Sequence, residues 1–191
     1  MANKSLRESL IRSIVIGLPV KLEFATTLFK APSSSLTLDL SSEEGQSIAR
    51  ELISKSDILV ENFKVGTLKK YNLDYESLKD QFPNLIYCSI TGFGQTGPYA
   101  NRPAYDALVQ AMGGVMSLTG EPDGEPMKVG VSIADLTAGM YATVSILAAL
   151  RHRDKTNQGQ HLDISMLDAH VAWLANQGMN CLLYTSDAAD E

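Results

Sequence analysis

Short apolar runs alternate with amphipathic stretches along most of this chain. The runs LTLDL, DILVENF and LIYCSITGFG, at residues 36–40, 57–63 and 85–94, have the length and the side-chain content of buried strands. Between the first two, SSEEGQSIARELISKS places serine before two glutamates, which predicts an N-capped helix over 41–56. Strands that alternate with helices predict an α/β fold, in which helices cover both faces of a mostly parallel sheet.

The same pattern continues towards the carboxyl end of the chain. Short helices are predicted at 65–71 and 75–81, and HLDIS predicts a further strand at 161–165. In a parallel sheet, ligands bind beyond the carboxyl ends of the strands. The segments ENF at 61–63 and TGFG at 91–94 each end a predicted strand, so together they predict one edge of a binding site.

Composition limits the function classes that fit. The chain has 191 residues and 45% hydrophobic content, which suffices for one globular domain with its own core. A net charge of −6 argues against a nucleic-acid partner, because phosphate binding needs concentrated Lys and Arg. The longest apolar runs, at 14–20 and 144–150, are too short to span a membrane. Cys88 lies within an apolar run, which predicts a buried thiol in a reducing compartment.

Asp135 is the most informative single residue. It lies where the apolar run MKVGVSIAD meets a long helical pattern, so it is predicted to be the N-cap of that helix. The first-turn N–H groups and the helix dipole favour an ionised carboxylate there, and a carboxylate so placed can attack acyl groups. On this stretch alone, a plain N-cap without chemistry is the better interpretation.

Four motifs around Asp135 occur in a fixed order. They are SLTLDL followed by a Glu-Gly helix start, ENF-x-x-G-T, TGFGQTGP with RPAYD, and AD-x-x-AG followed by TNQGQ-x-x-D. In this order they resemble the class III coenzyme A transferases, the family of formyl-CoA and carnitine CoA transferases, from about residue 36 to 180. The resemblance implies an incomplete Rossmann-like parallel sheet with flanking helices, as part of the interlinked-dimer fold of that family.

The resemblance also implies a set of site residues. Asp135 matches the acyl-carrying aspartate of the family and is the predicted catalytic residue. Aromatic and basic members of the remaining set would contact adenine and meet phosphate oxygens. The predicted coenzyme A contacts are Leu38, Asp39, Leu40, Ser41, Asn62, Phe63, Lys64, Lys70, Tyr71, Arg102, Pro103, Ala104, Tyr105 and Asp106.

The implied chemistry is the transfer of coenzyme A from an acyl-CoA donor to a carboxylic acid acceptor. Asp135 attacks the donor thioester and forms a mixed anhydride, and the released thiolate then attacks the aspartyl carbonyl to give an aspartyl-CoA thioester. The acceptor takes over the coenzyme A by the same steps in reverse. Neither a metal nor a permanently bound cofactor is implied, and coenzyme A enters only as substrate. The expected partner is a second copy of the chain, and the expected compartment is the cytoplasm or the mitochondrial matrix.

Two alternatives stay open at this stage. The α-methylacyl-CoA racemases share the fold and pair the equivalent aspartate with a histidine; Tyr105 stands where that histidine belongs, and a tyrosine of ordinary pKa exchanges protons poorly at neutral pH. The second alternative is an inactive fragment that at most binds coenzyme A, because the resemblance implies a protein about twice as long as this chain.

Both ends of the chain are predicted to lie outside the family. In residues 1–35 the strand, Gly-Pro turn and helix that would open the fold are not recognisable, and the mildly basic start is compatible with a transit peptide or a misjoined exon. The last eleven residues, CLLYTSDAADE, match one reading frame of a transposase-type sequencing adapter. The predicted division is therefore 1–35, a partial large domain at 36–180, and adapter read-through at 181–191.

The three histidines are predicted to be structural. His152, His161 and His170 all follow the Asp135 helix, and their spacing is not that of a metal site.

Upstream of that helix, the segment MSLTGEPDGEPMKVG resembles the glycine loop that covers the active site in the family.

Overall fold

A parallel sheet with helices on both faces forms the centre of the fold. The structure, a computed structural model, describes residues 13–16, 36–121 and 123–180. Within these residues the strands are β1 (Ser13–Ile16), β2 (Ile58–Glu61), β3 (Ile86–Thr91) and β4 (His161–Ser165), and they lie in the order β1-β2-β3-β4. Every neighbouring pair is parallel. The predicted α/β class with a parallel sheet is therefore confirmed.

Helices lie between the described strands and also follow β4, where residues 175–180 are helical as well. The α-helices are α1 (Glu43–Ser54), α2 (Tyr75–Leu78), α3 (Asp106–Met112), α4 (Ile133–Thr156) and α5 (Met166–Val171). The 3₁₀ helices are Leu68–Tyr71, Val115–Leu118 and Ala172–Leu174. The predicted helices at 41–56, 65–71 and 75–81 are thus present in shorter form, and the strand at 161–165 has the predicted bounds.

Strand alternation builds one core on each face of the sheet. Successive side chains of a strand point to opposite faces. Ile58, Val60, Ile86 and Cys88 therefore pack against α4, while Leu59 and Tyr87 pack on the other face with α1 and the 3₁₀ helix that begins at Leu68. The Cys88 thiol is fully buried, as predicted, and its burial raises its pKa to about 12.

Small residues let α4 approach the sheet closely. Ala134, Ala138, Ala142 and Ala149 are all at most 2% exposed and lie on one side of the helix, because residues four apart share a face. By length and mean hydropathy, α4 also satisfies the criterion for a membrane-crossing helix, so the sequence prediction that every apolar run is too short was wrong for this helix. Core helices satisfy the same criterion, and 44% of the apolar window in α4 is buried inside the fold.

The predicted strand at 36–40 is wrong. Residues 36–39 have no regular structure, because Asp39 forms hydrogen bonds to the residues that begin α1. Its carboxylate accepts from the Ser41 N–H and hydroxyl, and its carbonyl oxygen accepts from the Ser42 N–H and hydroxyl. Ser42 in turn caps α1 by accepting from the Gly45 N–H at 3.0 Å. Local side-chain hydrogen bonds therefore outweigh the strand propensity of this run.

The expectation that residues 1–35 contain no opening strand is also wrong. The run Ile14-Val15-Ile16 belongs to β1, which pairs with β2 along its whole length. Isoleucine and valine are β-branched residue types that favour extended structure. The sequence analysis missed this strand because it interpreted the surrounding segment from its basic residues.

Candidate active site

Asp135 lies in the first turn of α4 and is half-buried. The N-cap of this helix is Ser132, so the prediction that Asp135 itself caps the helix was wrong by three positions. Ile133 and Ala134 are already helical, and Asp135 follows them as the third residue of the helix. The carboxylate still lies at the positive end of the helix, where first-turn position and dipole both favour negative charge.

The carboxylate of Asp106 satisfies the backbone at this helix start. Its Oδ1 accepts from the Ala134 N–H at 2.8 Å and, more weakly, from the Asp135 N–H at 3.4 Å. Its Oδ2 accepts from the Gln110 side-chain amide at 2.6 Å. Asp106 was predicted to contact coenzyme A, and that role stays a prediction. In the structure, Asp106 Oδ1 accepts from the backbone at Ala134 and Asp135, and Oδ2 accepts from Gln110, so both oxygens help to fix the backbone of Asp135.

Gln110 was missed by the sequence interpretation. It is fully buried on α3, where its side-chain amide also donates to the Val131 carbonyl at 3.3 Å and its Oε1 accepts from the Val129 N–H at 2.8 Å. The signal that could have found it is its position four residues after Asp106, which places both side chains on one helix face.

The first predicted coenzyme A contacts lie in the loop that leads into α1. Asp39 is held there by Ser41, and the hydrogen bond from the Ser41 hydroxyl lowers the pKa of the Asp39 carboxyl below its ordinary value. Leu38 and Leu40 are partly buried against the core on the α1 face of the sheet. The leucines therefore have a packing role that is visible in this structure, whereas Asp39 and Ser41 have exposed polar groups.

The second predicted group directly follows β2. Asn62 and Phe63 are half-buried, Lys64 is exposed, and the Phe63 N–H donates to the Glu61 carboxylate at 2.9 Å. Lys70 and Tyr71 lie nearby in the 3₁₀ helix Leu68–Tyr71. The structure thus places these residues at the carboxyl end of a parallel strand, as the sequence analysis expected.

A glycine brings the last predicted group against the end of β3. A Cβ added at Gly92 would lie 2.1 Å from the Ala104 Cβ, so only glycine lets the segment of Arg102, Pro103, Ala104 and Tyr105 pass this close. The Arg102 guanidinium lies over the Tyr99 ring at 4.3 Å from its centroid, which holds the cation near the surface of this loop. Pro103 and Tyr105 are exposed.

A cavity of about 220 Å³ opens on the face of the sheet opposite α4. Lys64 and Lys69 line it together with three polar residues of the strands, the buried Glu61 and Ser89 and the half-buried His161. Burial raises the pKa of Glu61 and lowers the pKa of His161. Within the described residues, no three His, Cys, Asp or Glu side chains are placed to hold a metal ion.

The TNQGQ motif positions β4 and thereby the far side of the site. Asn157 ends α4 in the left-handed conformation, with φ of 58°, and its N–H donates to the Arg153 carbonyl at 2.7 Å. A Cβ at Gly159 would lie 2.0 Å from the Leu85 carbonyl oxygen. Both residues are therefore required by backbone geometry, since Asn tolerates the left-handed region and Gly lacks the clashing atom.

Comparison with known proteins identifies the family of these features. The family model described as CoA-transferase family III matches residues 21–190. This range extends beyond 36–180 at both ends, and the predicted division of the chain into three segments stays a prediction.

Individual relatives agree with this match. The chain is 54% identical over 149 residues to a succinate–glutarate CoA-transferase of Agrobacterium fabrum, which covers 78% of this chain and 37% of that protein. It is 45% identical over 141 residues to an acetyl-CoA:oxalate CoA-transferase of Acetobacter aceti, which covers 73% of this chain and 36% of that protein.

A solved structure shows the same fold. The crystal structure of a CaiB/BaiF family protein from Brucella suis aligns with a TM-score of 0.76 at 54% identity and covers 78% of this chain and 39% of that chain. The chain therefore spans well under half the length of each of these relatives.

Proposed function

This chain belongs to CoA-transferase family III, and we propose that it carries the acyl-accepting centre of an enzyme that moves coenzyme A between carboxylic acids. The observation that carries the proposal is Asp135, a half-buried carboxylate in the first turn of a 24-residue helix whose N-terminal backbone is held by Asp106. A nucleophile needs a fixed position close to its target, and a helix in the core supplies one.

The proposed reaction begins with attack of an Asp135 carboxylate oxygen on the thioester carbonyl. The carbon–sulfur bond of the donor breaks, the acyl group stays on Asp135 as a mixed anhydride, and coenzyme A leaves as thiolate. The thiolate then attacks the aspartyl carbonyl, which releases the donor acid and leaves coenzyme A on Asp135 as a thioester. The acceptor carboxylate reverses both steps, so the aspartate is regenerated. No proton is consumed overall.

The proposed coenzyme A site combines the loop before α1, the end of β2 and the loop after β3. Lys64, Lys70 and Arg102 are exposed cations that can meet phosphate oxygens. Phe63 and Tyr71 offer apolar ring surface, and Ala104 lies directly against the end of β3. The ligand is proposed as substrate only, and nothing in this scheme needs a resident cofactor.

For the acids, we propose a dicarboxylate acceptor with an acyl-CoA donor such as succinyl-CoA. The support is the relative from Agrobacterium fabrum, whose name gives succinate and glutarate as the acids between which it acts. Because that relative covers 78% of this chain, the similarity includes most of the described residues. An intracellular compartment, the cytoplasm or the mitochondrial matrix, is proposed with it, since Cys88 is a free and buried thiol.

We further propose that a second copy of the chain is the partner. Met140, Val144 and Leu147 form an apolar stripe along α4 and are each more than half exposed, although they lie on a helix whose other side is core. Exposed apolar stripes of this kind commonly mark interaction surfaces. Size-exclusion chromatography with light scattering should show a dimer, and Val144→Lys should shift it towards monomer. A monomer at all concentrations would contradict this part of the proposal.

Intact-mass analysis after mixing the chain with succinyl-CoA tests the central proposal. We expect a covalent adduct that hydroxylamine converts to the aspartyl hydroxamate, and Asp135→Asn should abolish it. Asp168→Asn is the matched control, because Asp168 also lies in the first turn of a helix but is exposed. An adduct that survives Asp135→Asn would contradict the assignment.

The same sample separates the two alternatives. Exchange of the α-proton of a 2-methylacyl-CoA in deuterated water, without an adduct, would favour the racemase. Saturable binding of coenzyme A without an adduct or exchange would favour an inactive fragment.

A further inference from the structure

Both polar atoms of the Gln110 side chain contact groups that hold the start of α4, namely the Asp106 carboxylate and the backbone at 129–131. Its amide nitrogen donates to Asp106 Oδ2 at 2.6 Å and to the Val131 carbonyl at 3.3 Å. Its Oε1 accepts from the Val129 N–H at 2.8 Å. The side chain is 0% exposed, so these three contacts are made away from water, where an unmade hydrogen bond is costly.

The contacts of Gln110 form one chain of hydrogen bonds that ends at Asp135. Gln110 holds Oδ2 of Asp106, which leaves Oδ1 turned towards the N–H groups of Ala134 and Asp135 at 2.8 and 3.4 Å. Gln110 also fixes Val129 and Val131, the residues that precede the helix. The start of α4 is thus anchored from two sides by a single side chain of α3.

A buried glutamine can also serve packing alone, but two observations argue for more here. An apolar side chain would fill the same volume without requiring three matched partners, and the neighbouring buried residue Val109 shows that α3 accepts one. In addition, all partners of Gln110 lie within six residues of Asp135 or hold its backbone. The network therefore controls the position of a reactive group rather than a remote part of the core.

We propose that Gln110 is a positioning residue for the reaction of Asp135. It does not touch the substrate; it orients the Asp106 carboxylate and the 129–131 backbone, and thereby sets where the Asp135 carboxylate stands when it attacks the thioester. This inference rests on the proposed transferase function. A misplacement of about 1 Å can cost roughly 100-fold in rate, so loss of the network should appear in catalysis before it appears in substrate binding.

Gln110→Glu is the sharpest test, because the two side chains have nearly the same shape. At neutral pH the introduced carboxylate cannot donate to Asp106 Oδ2, and two like charges would stand at hydrogen-bond distance. When the introduced carboxyl is protonated, its O–H replaces the lost donor. We therefore expect the rate of adduct formation with succinyl-CoA to fall roughly 10- to 100-fold at pH 8 and to recover towards the wild-type rate as the pH falls to about 5.

A second variant and a matched control complete the experiment. Gln110→Met keeps the length of the side chain without a donor, and we expect a pH-independent loss of rate with little change in the half-saturating concentration of succinyl-CoA. Gln81→Glu, at an exposed glutamine outside the proposed site, should leave the rate unchanged at every pH. Hydrogen exchange at the Ala134 and Asp135 amides should be faster in both Gln110 variants than in the wild type.

The outcomes separate this inference from the proposed function. A wild-type chain that forms no adduct overturns the transferase proposal itself. If the wild type reacts and the Gln110 variants show the same rate and the same pH profile, only the role of Gln110 is overturned. If Gln110→Met does not fold, the pH profile of Gln110→Glu decides, because a purely structural role predicts loss of stability without recovery of the rate at low pH.

Discussion

The Ser89 hydroxyl lies 3.0 Å from Nε2 of His161 and joins the middle of β3 to the first residue of β4. The Glu61 carboxyl lies beside Ser89 in the sheet register, and burial raises the pKa of Glu61 by more than Ser89 lowers it. These three residues therefore form a polar chain across three strands on the face opposite α4. The chain lines the cavity next to Lys64, so its charge state bears on the proposed coenzyme A site.

Glu61→Gln should stabilise the protein at neutral pH. Burial raises the pKa of Glu61 above its ordinary value of 4.5, so the folded state favours the protonated form. That contribution is fully present below pH 4.5 and is lost as the pH rises through the folded-state pKa. Urea unfolding between pH 4 and 8 should show a stability difference in favour of Glu61→Gln that grows with pH. A difference that is constant with pH would contradict burial as the cause.

His170→Leu should also stabilise the protein. Among the described residues neither ring nitrogen of His170 has a hydrogen-bond partner, and the side chain is 1% exposed. A buried unsatisfied polar group costs about 1–3 kcal/mol, so removal of the ring should raise the free energy of unfolding by a comparable amount. The control is His152→Leu at an exposed position, which should change stability by less than about 0.5 kcal/mol.

The pH dependence of His170 gives a separate prediction. Burial lowers the pKa of His170, so the folded state favours the neutral ring. This preference costs no stability above the unfolded value near 6.5, and stability is lost as the pH falls from there through the folded-state pKa. Thermal melts of the wild type should therefore lose stability below about pH 6.5, and His170→Leu should lose less. Equal slopes for the two proteins would show that groups other than His170 carry the effect.

Gly45→Ala should destabilise the loop that carries Leu38 to Ser41. A Cβ at Gly45 would lie 2.0 Å from the Asp39 carbonyl oxygen, which is backbone and cannot rotate away. Such overpacking costs about 1–3 kcal/mol, and the displaced loop should weaken coenzyme A binding as well. Gly178→Ala is the matched control, because no atom lies within 4 Å of a Cβ added there and the residue has no role in the proposed site. Thermal melts and calorimetric titration with coenzyme A measure both effects; equal melting temperatures would contradict the clash.

Arg153→Met should lower stability by about 1 kcal/mol. The guanidinium donates to Asp57 at 3.0 Å and ties the end of α4 to the residue before β2, in a pair that is only partly exposed. Lys55→Met removes an exposed pair with Glu51 beside α1 and should cost less, because water screens that pair. Denaturant unfolding in low and in 1 M salt should show a salt-sensitive loss for Arg153→Met. A loss no larger than that of Lys55→Met would contradict its anchoring role.

Much of the α/β framework was predictable from local pattern. The cores of the strands around 58–61 and 86–91 follow from runs that are buried on both faces of the sheet, and the strand at 161–165 follows from the alternation of polar and apolar residues in HLDIS. The run at 36–40 has the same alternation as HLDIS and forms no strand, because Asp39 and its serine neighbours make a tight set of local hydrogen bonds. Strand propensity is a property of single residue types, so it does not include the hydrogen bonds that particular neighbouring side chains form in place of strand pairing.

The sequence by itself determined the fold class, the order of the motifs and the position of Asp135 in a helix start, because each depends on residues close together in the chain. The anchoring of that helix was decided only by the tertiary structure. Asp106 and Ala134 are 28 positions apart, and Gln110 reaches Val131 across 21 positions. A hydrogen bond over such a separation exists only once the sheet has brought α3 and α4 together, so no local pattern encodes it.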